Sequence, residues 1–284
     1  MTDARLAQRG LAPAALLDAL GSAAGDAHAV LVVGSVAEDF PDPDADLDLL
    51  IVDDEGSLGM KASALAVRSS VGVSRSLDLH HANLSRARAC LEMVEGMDAL
   101  FRDPSRLAEA QTIIKVFTTE DLWLMHTIKT GIPIHGAPRV DGWRKQMHGL
   151  ANLLTVYCLG LHLNYREDAL AQARFGDPLS AMWMLAPAAD WLAASLLATQ
   201  GETNPSAHRR PALLDRHRET FGADRMERLQ SLLAPEPLSN VKVAVRRALL
   251  LFDVLILDIF ERCPAIAGPI EELRRRSAFV THFD

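Results

Sequence analysis

Between residues 34 and 48 the chain reads Gly34-Ser35-Val36-Ala37-Glu38-Asp39-Phe40-Pro41-Asp42-Pro43-Asp44-Ala45-Asp46-Leu47-Asp48. A Gly-Ser pair ends one apolar run, Ala29–Val33, and an Asp-x-Asp pair opens the next, Leu49–Val52. Glycine lets the backbone approach a ligand with no Cβ in the way. The Ser35 hydroxyl and nearby backbone N–H groups are donors suited to phosphate oxygens. Side chains alternate faces along a strand, so Asp46 and Asp48 point the same way while Leu47 and Leu49 point toward a core. Two carboxylates on one face repel each other unless a cation sits between them, and Mg²⁺ takes one or two protein carboxylates plus substrate phosphates. A third acid follows in Val73–His80, where Asp78 shares a face with Ser74, Ser76 and His80. If that run lies beside the Asp46–Val52 strand, Asp78 joins the pair, as a metal ligand and as a base toward an attacking hydroxyl.

Gly34-Ser35, ten intervening residues, Asp46-Leu47-Asp48 and a later strand aspartate resemble the DNA-polymerase-β-type nucleotidyltransferase superfamily, including its antibiotic-modifying and minimal members. The stretch Asp121–Gly136 resembles the helix–turn–strand that closes the catalytic domain in many members. The likeness covers roughly the first half of the chain. It implies an α/β (α+β) fold, with a polymerase-β-like mixed sheet and flanking helices followed by an all-α helical bundle. It implies a nucleoside triphosphate substrate and two Mg²⁺ ions. Nucleotide binding falls on Gly34 and Ser35, and catalysis and metal binding fall on Asp46, Asp48 and Asp78. The sequence departs from that pattern at two places. Glu38 stands where many members carry arginine, and Ala45 stands where many carry serine. An acid at position 38 is compatible with a bound triphosphate only if it turns away.

The same acids do not make an EF-hand loop, which needs glycine at its sixth position and glutamate at its twelfth; Leu47 and Asp53 stand there. A solvated turn running into an edge strand is the plain alternative. His80 and His81 flank Asp78 in sequence, whereas His126 and His135 have no partner spacing. No Cys-x-x-Cys or His-Glu-x-x-His pattern offers a zinc site, and Cys90, Cys158 and Cys263 are isolated, which suits a reducing cytoplasm.

The chain has 284 residues, 49% of them apolar, and a net charge of −8. Proteins that grip a long phosphate backbone are usually basic, so nucleic acid is not the expected partner. Arg274-Arg275-Arg276 is the one dense basic run and reads as a solvated helix end. The first residues show no basic-then-apolar pattern, so secretion is not expected. The apolar run Ala248–Phe260 carries Asp253 and Asp258 and reads as a core helix, so no membrane partner is expected. Oligomer formation stays open.

The expected elements begin with a helix over Pro13–Ala24. The strands named above follow, with a helix near Gly59–Ser69 between them. Further helices are expected at Ser85–Gly96 and from Pro104, then strands at Ile113–Phe117 and Ile132–His135. After Gly136 the texture turns helical. Trp143–Phe175 reads as one amphipathic stretch, Asp177-Pro178 as a helix start, and Pro187 as a break. Helices near Pro211–Glu219, Asp224–Leu233 and Ser239–Arg262 complete a bundle. A catalytic domain over residues 1–139 and a helical domain over 140–284 are expected.

The reaction implied is transfer of a nucleoside monophosphate, AMP from ATP as the working choice, to a hydroxyl of a small-molecule acceptor, releasing pyrophosphate. Glu167 or Asp168 is a further base candidate in the helical half. The alternatives are AMPylation of a protein in a toxin–antitoxin pair and a degenerate nucleotide-binding module. Arg210 and His217 loosely match an RNase bundle motif, but Pro211 follows the arginine.

Overall fold

The computed structural model describes residues 3–40, 46–55, 59–68, 74–233, 241–266 and 268–269. Helix α1 (Ala4–Gln8) is capped by Asp3, whose side chain accepts from the Arg5 backbone. Helix α2 (Pro13–Leu20) opens on a proline, whose missing N–H costs nothing there. Strand β1 (Ala29–Val32) is buried throughout and runs into the single-turn helix α3 (Gly34–Ala37). Strands β2 (Leu47–Asp53), β3 (Gly59–Arg68) and β4 (Ser74–Asn83) come next. Helices α4 (Leu84–Arg102), α5 (Leu107–Val116) and α6 (Thr119–Thr130) precede strand β5 (Ile132–His135) and helix α7 (Ala137–Gln146).

The strands form one five-stranded sheet in the order β3-β4-β2-β1-β5. The central pair β2/β4 is parallel and the other three pairs are antiparallel, so the sheet is mixed. Pro133 sits on the edge strand β5, opposite Leu31 and beside a register shift, the kind of sheet position where proline is tolerated. One face is a continuous core: Val30, Val32, Leu47, Leu49, Ile51, Leu77 and Leu79 pack with Leu6, Leu16 and Leu20 of the first two helices. The opposite face is polar at one end, with Asp48 and Asp78, and apolar further on, with the fully buried Leu50, Val52 and Ala82. That division follows from strand alternation acting on the sequence of β2.

Two expected elements are corrected. Residues 59–68, rich in helix-forming Ala, Met and Leu, form β3, because pairing along β4 outweighs their local preference. Ile113–Phe117, apolar and β-branched, was expected to be a strand; Ile113–Val116 instead belong to α5, where a longer helical period includes Leu107 and Ala110.

The second half is helical. Helix α8 (Leu150–Arg174) follows a 3₁₀ turn at Met147–Gly149, so the expected single stretch Trp143–Phe175 is two helices joined at a glycine. Helix α9 (Pro178–Ala198) is capped by Asp177 and runs through Pro187 without ending there. Helices α10 (Arg210–Arg216), α11 (Arg218–Phe221), α12 (Ala223–Leu233) and α13 (Val241–Arg262) complete the set. Helices α8, α10, α12 and α13 all pack on α9. Among the described residues α9, and not the 248–260 run, is long and apolar enough by length and composition to cross a membrane, and 61% of its apolar window is buried inside the fold, as in a core helix.

The chain divides into two compact units. One unit comprises Met1–Glu95 with Thr118–His148; the other comprises Gly96–Phe117 with Gly149–Asp284. The first break falls inside α4, so that helix serves both units.

Candidate active site

The polar end of the sheet is built from three consecutive features. Val33, just after β1, donates its backbone N–H to Asp48 O at 2.9 Å, which holds the end of β1 against β2. Gly34 then turns the chain with φ +66°. A side chain there would meet two obstacles: the left-handed backbone and the Asp48 carboxylate, since a Cβ would overlap Oδ2 and stand 3.2 Å from Cγ. Gly34 is therefore the residue that lets the bend lie directly over Asp48. Ser35 follows, buried, and its carbonyl accepts from Phe40 N–H at 3.0 Å.

The parallel register of β2 and β4 pairs Leu47 with Leu77 and Asp48 with Asp78. Asp48 and Asp78 thus stand side by side on neighbouring strands, both half-buried. Asp46 is exposed, and its Oδ1 accepts a hydrogen bond from the Ser76 hydroxyl. Among the described residues, no group of three or more His, Cys, Asp or Glu side chains closes on one point as a metal cage. The structure brings together Asp48, Asp78 and Gly34, with Ser35 following in the bend, and turns the Asp46 carboxylate toward Ser76.

His80, two residues beyond Asp78 on the same face, places Nε2 3.4 Å from Asp48 Oδ1. Its ring lies 4.8 Å from that of Trp123 on α6, tilted by 47°. His126, also on α6, faces Glu38 across 3.3 Å, and both side chains are largely buried. The acid at position 38 is thus directed at a histidine 88 residues further along the chain. Strand alternation pointed to His80; nothing in the local sequence could point to Trp123 or His126, because α6 reaches the site only through the fold.

The start of α6 is secured by a capping box. Asp121 N–H donates to Thr118 Oγ1 at 3.2 Å, and Thr118 N–H donates to Asp121 Oδ2 at 2.9 Å. Arg86 of α4 grips the same carboxylate through two nitrogens, and the Cys90 thiol donates to it at 3.3 Å. Burial pushes the Asp121 carboxyl up, but the Arg86 guanidinium, the Thr118 backbone and hydroxyl, and Cys90 together hold it below the usual carboxylate range. Burial pushes the Cys90 thiol up to about 12, so it is not a nucleophile at neutral pH. The remaining candidates lie elsewhere. Glu167 and Asp168 are exposed on α8, Arg210 is buried against Asp190, and His217 pairs with Glu202 at 2.9 Å. The Arg274–Arg276 run and the turn Pro41–Ala45 lie outside the described residues.

The fold is similar to that of a nucleotidyltransferase-like protein from Exiguobacterium sibiricum 255-15, with a TM-score of 0.50, 12% identity, and coverage of 93% of this chain and 79% of that one. At that identity the likeness speaks for the fold. The mixed sheet with a helical second half is a nucleotidyltransferase-like fold. No protein-family model and no curated protein sequence matches the chain.

Proposed function

We propose that the chain is a nucleotidyltransferase of the DNA-polymerase-β type that transfers a nucleoside monophosphate, AMP from ATP, to a hydroxyl of a small-molecule acceptor and releases pyrophosphate. The observation that carries this reading is the pairing of Asp48 with Asp78 on parallel strands directly under the Gly34–Ser35 bend. The two carboxylates fit the protein share of a Mg²⁺ site, whose other ligands come from phosphate oxygens and water. The room left by the missing Gly34 side chain brings the backbone close to that pair. Asp46 is the third candidate ligand and would exchange its Ser76 contact for the ion. Bound Mg²⁺ would supply charge neutralisation on the triphosphate and lower the acceptor hydroxyl's pKa.

The chain's own groups have separate tasks. Backbone N–H groups of the Gly34–Ser35 bend donate to the triphosphate. Asp78 accepts the proton of the attacking hydroxyl as the bond to the α-phosphorus forms and the bond to pyrophosphate breaks. His80 holds one oxygen of Asp48 and so orients the other. The net charge of −8 favours a small acceptor over a nucleic acid.

The test is a pyrophosphate-release assay with each of the four triphosphates and Mg²⁺ against an acceptor panel, alongside calorimetry with ATP and Mg²⁺. Release that depends on one acceptor supports the reading. Tight binding with no release under any acceptor would overturn it in favour of a nucleotide-binding module. Label from ATP appearing on a protein would point to AMPylation.

A further inference from the structure

Helix α13 has two apolar faces. One packs inward through Val245, Leu249, Phe252, Ile256 and Ile259, all buried. The other is bare: Leu250, Val254 and Leu257 are 53%, 41% and 50% exposed. Their spacing of four and three residues is the spacing of a seam between two helices packed side by side. Both ends of the stripe carry exposed charge, Arg246 and Arg247 toward the N-terminus and Glu261 and Arg262 toward the C-terminus, and Arg262 is turned to the Thr220 carbonyl and the Phe221 ring. Among the described residues neither Arg247 nor Glu261 has an ion-pair partner.

The order of these residues is nearly symmetric about Val254. Arg247 lies two turns before it and Glu261 two turns after; Leu250 and Leu257 lie one turn to either side. A second α13 laid parallel would set Arg247 against Arg247. Laid antiparallel across a two-fold axis through Val254, it brings Leu250 within one residue of register with Leu257 and sets Arg247 against Glu261, twice over. Self-complementarity under rotation is the requirement for an isologous interface, and opposite charge at the rim fixes its direction and register. We propose that α13 pairs antiparallel with α13 of a second copy of this chain, on an axis at Val254. This pairing does not depend on the catalytic reading above.

The test uses the full chain in sedimentation velocity between about 1 and 100 µM, a range that brackets micromolar association. The wild type is expected to pass from monomer to dimer. Leu257→Glu is expected to be monomeric throughout with an unchanged circular dichroism spectrum. Arg247→Glu alone is expected to weaken the dimer about tenfold, and adding Glu261→Arg is expected to restore it, since the pair is then merely reversed. Val254→Cys gives a readout that does not depend on a disruptive variant. A cysteine on the axis meets its own copy and should link under mild oxidation, whereas the native Cys90, Cys158 and Cys263 are buried. A wild-type chain that stays monomeric at the top concentration would overturn the proposal. So would a dimer that ignores the α13 variants and is lost in Trp183→Ser, at another exposed apolar position on α9.

Discussion

Asp48 is the side chain on which the polar end of the sheet converges, and its neighbours divide the work around it. Gly34 leaves it room, His80 holds one oxygen, and Asp78 stands beside it in register. Because Asp48 and Asp78 are only half-buried, Asp48→Asn or Asp78→Asn should lower pyrophosphate release by at least about a hundredfold. Thermal unfolding should shift by no more than a few degrees. Gly34→Ala should behave differently. It meets both a left-handed backbone and the Asp48 carboxylate, so it should cost about 1–2 kcal/mol of stability, read by denaturant melting, as well as activity. Glu38→Arg, which installs the residue many superfamily members carry, should not raise activity. It places a cation against the buried His126 and should destabilise the chain by about 2–4 kcal/mol.

At the scale of elements, α6 matters most to the site, since it carries both Trp123 and His126. Its first turn depends on Asp121, a carboxylate buried with Arg86, Thr118 and Cys90 around it. Burial opposes the Asp121 charge, yet Arg86 and the other donors outweigh it, so the folded-state pKa lies below the unfolded one. Stability from this group is therefore present above the unfolded value near 4 and is lost as the pH falls through the folded value. Asp121→Asn should cost about 1–3 kcal/mol at pH 7. It should also flatten the acid limb of a stability-versus-pH curve below about pH 4. An acid limb identical to the wild type's would show that the Arg86 contact is not formed in solution.

At the scale of the whole molecule, acid stability has a second determinant in the helical unit. His162 of α8 is fully buried, its Nδ1 bonds the Ala188 carbonyl of α9 at 2.8 Å, and its ring meets Phe252 of α13 edge-on at 4.9 Å. From its place on α8 this side chain thus touches two further helices, α9 and α13. Burial, partly opposed by the Ala188 carbonyl, pushes its pKa from 6.5 down to about 3. The folded state keeps it neutral while the unfolded chain binds a proton, so its contribution is intact above pH 6.5 and is lost as the pH falls toward 3. Urea unfolding should show stability falling from this residue by up to about 1.4 kcal/mol per pH unit over that window. His162→Gln should remove that slope.

The sequence by itself determined whatever depends on neighbours along the chain. Alternation in Asp46–Val52 put Leu47 and Leu49 in the core and the aspartates on the other face, because successive strand residues must point oppositely. The apolar run before Gly34, the proline-bearing edge strand at Ile132–His135 and the start of α9 at Asp177-Pro178 were legible for the same local reasons. Tertiary structure alone decided what depends on packing. Residues 59–68 became a strand because β4 offered an edge, although their composition favours helix. Asp78 came to lie beside Asp48 because β2 and β4 pair in parallel. Glu38 turned to His126 and His80 to Trp123 because α6 is held by Arg86 and Asp121. Apart from the β3/β4 hairpin pairing, those contacts join residues 30 to 88 positions apart, and no periodicity within a single segment encodes a distance of that kind.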